Sequence, residues 1–128
     1  MKTSYTIALS LLAGTGAGAL AVQALHAQSK VPAYYIAEVE VTDQEGYQKE
    51  FVPKAQAVVR AAGAKFIVQG GKTVSLKGEP AKPRVVIQQW ENMDQLMSWY
   101  NSSEQKALRG VQDKYAKVRM FAVEGVPQ

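Results

Sequence analysis

The chain contains no cysteine, and its only histidine is His26. Without thiols the protein has no disulfide, no cysteine nucleophile and no cysteine metal site. His26 lies at the end of an N-terminal segment that we expect to be removed, so the remaining domain is expected to lack imidazole as well. Imidazole is the commonest general base and the commonest transition-metal ligand. We therefore predict neither a metal site nor a bound cofactor.

Acidic residues are missing before Glu38. A positive start, an apolar stretch and small residues at its end are the three parts of a secretory signal, which we assign to residues 1–27 with cleavage after Ala24 or Ala27. Retention as a membrane anchor is the alternative, because residues 7–25 are nearly long enough to span a bilayer. Glycines dilute that stretch and no Lys/Arg cluster flanks it, which favours cleavage. We expect a periplasmic or secreted protein of a Gram-negative bacterium that meets the membrane only during export.

The charge balance is modestly basic, with 15 Lys and Arg against 11 Asp and Glu. The basic residues are scattered among glutamates and glutamines instead of forming one basic face with aromatics between them, so we predict no nucleic-acid binding. Removal of residues 1–27 leaves about 100 residues, the size of one domain. A core of that size without disulfides would gain from pairing with a second copy, so a homodimer is expected.

Alternating hydrophobicity predicts a first strand over residues 33–41, after a short leader at residues 28–32. The spacing of Thr42 and Glu45 is typical of a capping box that starts a helix, which Pro53 interrupts and Gly63 ends. Asn92 and Ser102 are predicted to cap two later helical segments. The apolar face of the last helical segment is predicted to consist of Ala107, Leu108, Val111, Tyr115 and Val118. The remaining strands are predicted at residues 65–69, 73–76 (a short hairpin extension), 84–90 and 120–124.

This order of elements predicts an α+β, ferredoxin-like βαββαβ domain over residues 33–126, with the signal helix outside the fold. Its helices cover one face of a four-stranded antiparallel sheet and leave the other face open. We place Tyr34, Ile36 and Trp90 or its neighbours on that open face. Such an apolar surface is large enough to drive the pairing of two copies.

Five segments of the chain resemble a known family: AYYIAEVEVTDQEGY, GAKFIVQGG, RVVIQQWENM, WYNSSEQKAL and FAVEG, in this order. With them the chain resembles the bacterial family called domain of unknown function 1330 (DUF1330), in the dimeric α+β-barrel superfamily. The resemblance covers nearly all of the chain after the signal. It implies a ferredoxin-like protomer whose open sheet face packs against a second copy to close a barrel.

The same resemblance implies little about chemistry. The wider superfamily includes cofactor-independent monooxygenases, dye- and haem-processing enzymes and stress-response binding proteins, whereas the family itself carries no agreed reaction. Many members have an arginine where this chain has Gln112, and an aromatic residue where it has Gln105. If those usual residues contact a ligand, this chain makes the contact differently or not at all.

Candidate site residues fall into three groups. Glu38 and Glu40 share a strand face and could divide acid and base roles, or they could simply pair with Arg84 or Arg119. Trp90 and Trp99 could line an aromatic pocket or fill the core, and Trp99 is the better ligand candidate because Tyr100 continues the apolar face of its helix.

Asn101 and Ser102 could hold an anionic group at a helix N-terminus, although helix capping explains both residues without a ligand. Gln88, on the strand between Arg84 and Trp90, completes the set. The candidate ligand-binding residues are therefore Glu38, Arg84, Gln88, Trp90, Trp99, Asn101 and Ser102.

These features support three functions in order of preference. The first is an exported homodimer that binds a small, partly apolar molecule at the open sheet face. The second is a cofactor-independent monooxygenase or isomerase that uses Glu38, Arg84 and Trp90. The third is a structural or interaction role. Whether the protein is an enzyme is left open by the sequence.

Overall fold

The computed structural model describes residues 30–128. The predicted signal and its two cleavage positions lie outside these residues. Within them, no helix combines the length and apolar character needed to cross a bilayer. The elements are β1 (Ala33–Val41), α1 (Gln44–Gly46), a π-helical segment (Tyr47–Phe51), α2 (Val52–Ala61), β2 (Lys65–Gln69), β3 (Arg84–Trp90), α3 (Met93–Tyr100), α4 (Ser103–Tyr115) and β4 (Ala116–Glu124).

The four strands form one antiparallel sheet in the order β2-β3-β1-β4. The helices pack against one face of this sheet, as the alternating burial of β1 shows. The ferredoxin-like α+β fold predicted from the order of elements is therefore confirmed.

The two faces of the sheet differ in polarity and exposure. On β1, Tyr35, Ala37 and Val39 are buried beneath the helices, and we call this side the covered face. The opposite side, which we call the open face, carries seven apolar residues at paired strand positions: Tyr34, Ile36, Val68, Val85, Ile87, Phe121 and Val123.

The prediction that Trp90 lies on the open face is wrong. Trp90 pairs directly with Ala33, and residues directly opposite each other in an antiparallel pair point to the same side. Because Ala33 faces the helices, Trp90 does so too, and only 1% of its surface is exposed.

Two predicted strand limits also need correction. Residues 73–76 are exposed and form no strand, so the β2–β3 connection is a long irregular loop. β4 begins at Ala116 instead of Met120, because Ala116 to Val118 pair with the far end of β1. Val118 therefore belongs to the sheet and not to the preceding helix, and Ala107 on that helix is exposed.

Helix starts follow the predicted capping chemistry with one change. Asn92 accepts a hydrogen bond from the Gln95 amide at 2.8 Å, and Ser102 accepts one from the Gln105 amide at 3.2 Å. At the first helix the cap is Asp43, not Thr42, since its carboxylate accepts from the Gly46 amide at 3.1 Å. The irregularity predicted before Pro53 takes the form of the π-helical segment.

Gly46 lies so close to the ring of Tyr115 that a β-carbon at this position would overlap the ring. We expect Gly46→Ala to destabilise the domain by about 1–3 kcal/mol, because the aromatic ring or the helix must shift. Gly110→Ala is the matched control, since a β-carbon there meets nothing within 4 Å. It should stabilise α4 by about 0.5–1 kcal/mol. Urea unfolding of both variants tests this, and equal stabilities would contradict the packing described.

Candidate functional site

A cavity of about 40 Å³ lies between the covered face of the sheet and the helical layer. We call it the cleft. One part of its wall is apolar, with Tyr47 and Phe51 from the π-helical segment and Val59 from α2. Its polar lining consists of five glutamines and one arginine, which are Gln56, Gln69, Gln88, Gln105, Gln112 and Arg84.

Three buried polar atoms of the described residues have no hydrogen-bond partner: Nε of Arg84, Nε1 of Trp99 and Oε1 of Gln105. All three belong to residues that line the cleft. Each unpaired buried polar group costs about 1–3 kcal/mol, and native proteins tolerate few of them. Their concentration around one cavity marks the cleft as the candidate site, ahead of a larger groove beside Trp90 that none of the three residues lines.

Arg84 is the only charged side chain that the described part of the chain contributes to the lining of the cleft. It opens β3 on the covered face, opposite Val39, and its guanidinium carbon lies 5.8 Å from the centroid of the Tyr47 ring. Gly70 gives it room: a β-carbon there would lie 2.5 Å from Nη1 of Arg84. Gly70 also has a φ of +73°, which glycine adopts without strain.

Trp99 is buried in the core with 5% of its surface exposed, whereas Tyr100 is only half-buried. The prediction that Tyr100 and not Trp99 fills the core is therefore wrong. The buried stripe of α3 consists of Leu96 and Trp99, three residues apart, and Tyr100 turns outward beneath the guanidinium of Arg109 at 3.9 Å from its ring centroid.

The two tryptophans lie side by side but differ in hydrogen bonding. Their ring centroids are 4.9 Å apart, and Tyr35 meets Trp99 edge-on at 5.3 Å. The indole N–H of Trp90 donates to Oε1 of Gln88 at 3.1 Å. The indole N–H of Trp99, in contrast, is one of the three unpartnered groups. Trp90 thus supports the site while Gln88 and Trp99 line it.

Ser102 does not line the cleft but fixes two residues that do. Its hydroxyl donates to the Trp99 carbonyl oxygen at 2.7 Å and accepts from the Gln105 amide at 3.2 Å. One side chain therefore joins the end of α3 to the start of α4 and sets their spacing. Asn101 is exposed at the end of α3 and takes no part in the lining.

Glu38 lies on the open face, on the other side of the sheet from Arg84. It forms an ion pair with Arg119 at 2.7 Å and accepts a hydrogen bond from the Lys82 backbone amide at 3.2 Å. Glu40 pairs with the Lys82 ammonium at 3.7 Å. The carboxylates thus pair with Arg119 and Lys82 and not with Arg84. The predicted arrangement of Glu38, Arg84 and Trp90 around one substrate is not formed.

Gln105 and Gln112 line the cleft and were absent from the sequence-based candidates. They lie seven residues apart on α4, on the same buried stripe as Leu108, with 3% and 4% of their surfaces exposed. The family resemblance drew attention to both positions, because many members carry an arginine in place of Gln112 and an aromatic residue in place of Gln105. Their helical spacing around Leu108 is a second signal of burial.

Tyr35 also lines the cleft, and its hydroxyl donates to the sulfur of Met120 at 3.3 Å. Burial raises the pKa of this phenol well above its usual value of about 10, and nearby Tyr100 adds to the rise. The hydroxyl therefore stays neutral in the folded protein.

This raised pKa makes stability fall at alkaline pH, because the unfolded phenol ionises above pH 10 while the folded one does not. The contribution of the neutral Tyr35 phenol to the free energy of unfolding is fully present well below pH 10. It is lost as pH rises, by about 1.4 kcal/mol at pH 11. We expect Tyr35→Phe to lose that much less stability than the native chain between pH 8 and pH 11. Urea titrations at both pH values measure the difference, and identical losses would contradict it.

Comparison with known proteins places the chain in a family and among structures of the same fold. The family model described as "Domain of unknown function (DUF1330)" matches residues 32–126. No curated protein matches the sequence significantly.

Three solved structures illustrate the structural likeness. A protein of unknown function from Rhodopseudomonas palustris is 14% identical, with 81% of this chain and 93% of that one covered and a TM-score of 0.62. A conserved protein of unknown function from Bacteroides thetaiotaomicron is 10% identical, with 75% and 99% covered and a TM-score of 0.50. A cofactor-independent oxygenase from Streptomyces nogalater is 11% identical, with 77% and 96% covered and a TM-score of 0.49. At these identities the likeness to the first two structures shows the fold alone.

Proposed function

Because this chain belongs to the family described as a domain of unknown function (DUF1330), whose name assigns no reaction, we propose its function from the geometry of the cleft. The protein is a homodimer that binds a small, partly apolar molecule between its sheet and its helices, and not at the open sheet face where the sequence predicted the ligand. The observation that carries this proposal is the set of three unpartnered polar atoms on Arg84, Trp99 and Gln105.

The free energy lost through these three unpaired groups is large for a domain of this size. Three unpaired buried groups cost several kcal/mol at about 1–3 kcal/mol each, against a total stability of about 5–15 kcal/mol. A bound molecule that supplies one acceptor for each donor and one donor for Gln105 recovers this free energy on binding. Unpaired buried groups lower the stability of the ligand-free protein, but they strengthen the binding of a ligand that supplies their hydrogen-bond partners.

The cleft wall suits a ligand with an apolar part. Tyr47 and Phe51 lie with ring centroids 5.1 Å apart along one side, and Phe66 of β2 lines the other. Ligand sites typically combine such apolar walls with a few convergent polar groups. The lining thus selects a molecule that is polar at one end and apolar at the other.

Binding is favoured over catalysis by the kind of groups that the cleft contains. Among the described residues, its lining includes no aspartate, glutamate, lysine or histidine. The phenol of Tyr35 has a raised pKa and is held by Met120, so it is poorly suited to act as a base near neutral pH. The lining offers donors and acceptors for recognition instead of a proton-transfer group.

The second copy is proposed to cover the open face. Ile36 lies between Ile87 and Phe121 at the centre of this face, and Phe121 and Val123 are each 45% exposed. The same face carries the Glu38–Arg119 ion pair beside the apolar patch. A surface with an apolar centre and charges of both signs is self-complementary across a two-fold axis, as pairing of identical copies requires.

We further propose that the protein acts outside the cytoplasm, on the strength of the signal-like composition of residues 1–27. Native mass spectrometry of the full chain expressed in a bacterial host tests these proposals together. We expect a dimer with the mass of a small molecule added to each subunit, and subunits that begin at residue 25 or residue 28. A strict monomer without added mass would contradict both the dimer and the bound molecule, and an intact Met1 would contradict export.

A further inference from the structure

We infer that the polar end of the bound molecule is a carboxylate, an inference that rests on the proposed function of the cleft. Within residues 30–128, Arg84 is the only charged side chain in the lining, and no ion pair joins it to another residue. Its Nε atom is buried, although the side chain as a whole is half-exposed. A guanidinium without a counter-charge in the wall of the cleft favours an anionic ligand, because arginine binds carboxylates through charge-assisted hydrogen bonds.

Two other arginines of the domain show the contrast. Arg119 has its carboxylate partner in Glu38 at 2.7 Å. Arg109 donates to the Tyr100 carbonyl oxygen at 2.8 Å and lies over its ring. Arg84 instead has the Tyr47 ring at 5.8 Å and an Nε donor without a partner. The unpaired donor therefore sets Arg84, which lines the cleft, apart from both of these arginines.

The unpartnered groups match the two parts of a small hydroxy acid. Nε of Arg84 and Nε1 of Trp99 are N–H donors, which suit the acceptor-only oxygens of a carboxylate. Oε1 of Gln105 is an acceptor, which suits a hydroxyl on the same molecule. Two donors and one acceptor thus select a carboxylate with a hydroxyl nearby.

The size of the cleft agrees with the carboxylate of such a head group. A volume of about 40 Å³ has room for about three groups the size of a water molecule, at about 10–15 Å³ each. A carboxylate has three non-hydrogen atoms. The apolar remainder of the ligand would lie along Phe51 and Val52 toward the half-exposed Ala55.

Calorimetric titration with 2-hydroxyhexanoate and 2-hydroxyhexanamide tests the inference, because the two probes differ only in the head group, which is charged in the first and neutral in the second. We expect the acid to bind the native chain about tenfold more tightly than the amide, or more, as charge-assisted hydrogen bonds are the stronger kind. In Arg84→Gln the preference should fall to about twofold or less. Arg60→Gln removes the same charge from an exposed position on α2 and should keep the preference.

A second variant keeps the guanidinium of Arg84 but changes its position. Gly70→Asn keeps a residue that tolerates positive φ, but its β-carbon displaces Nη1 of Arg84, so the preference should again fall. Equal affinity of the native chain for acid and amide would overturn the carboxylate assignment while leaving the cleft a binding site. Failure of both probes to bind would overturn the proposed function itself.

Discussion

Gln105→Met is expected to raise the midpoint of thermal unfolding of the ligand-free protein by about 4–8 °C and to weaken 2-hydroxyhexanoate binding at least tenfold. The side chain is 3% exposed and its Oε1 has no partner among the described residues. Methionine has a similar length and no unpaired acceptor, so about 1 kcal/mol is recovered, which corresponds to that shift for a domain of this size. Binding is lost because the acceptor for the ligand is gone.

Gln48→Met is the control for this prediction, since it makes the same change on an exposed helical position. Its stability should stay within about 0.5 kcal/mol of the native chain. Differential scanning calorimetry and titration with the probe measure the two effects. A Gln105→Met protein that is less stable and still binds the probe would show that Gln105 serves the core and not the ligand.

Phe121→Glu is expected to convert the dimer to a monomer at micromolar concentration. Phe121 lies on the edge strand β4 beside Ile36, at the centre of the proposed contact, and is 45% exposed. In a dimer the new carboxylates would be pressed against the apolar surface of the partner copy, whereas in a monomer they face water. The fold of the monomer should therefore survive.

Val126→Glu provides the control, because Val126 is 75% exposed and lies beyond the end of β4. Sedimentation velocity of both variants at equal concentrations gives the oligomeric state, and circular dichroism checks the fold. Dimers of Phe121→Glu with native affinity would place the contact elsewhere on the molecule.

The fold was predictable because its signals are local. Alternation in β1, the caps at Asn92 and Ser102 and the glycine at position 63 each report on neighbouring residues. The side of the sheet on which Trp90 lies was not predictable in this way, because it depends on the register between β1 and β3.

The cleft was only partly predictable. Arg84, Gln88 and Trp99 were among the sequence-based candidates and line it, whereas Glu38 lies on the opposite face. The burial of Gln105 is invisible to hydrophobic periodicity, which counts only apolar residues, so the family resemblance alone pointed to its position. A cavity formed by several separate elements becomes visible only after they have packed together.

The most direct test of the cleft as a ligand site uses the two indole N–H groups of the protein, which has two tryptophans. In ¹H–¹⁵N correlation spectra they give separate resonances, assigned with Trp99→Phe. Addition of 2-hydroxyhexanoate should shift the Trp99 resonance downfield as its N–H gains an acceptor, and should move the Trp90 resonance far less because that N–H already donates to Gln88. A Trp99 resonance that stays in place with the probe in large excess would contradict the account.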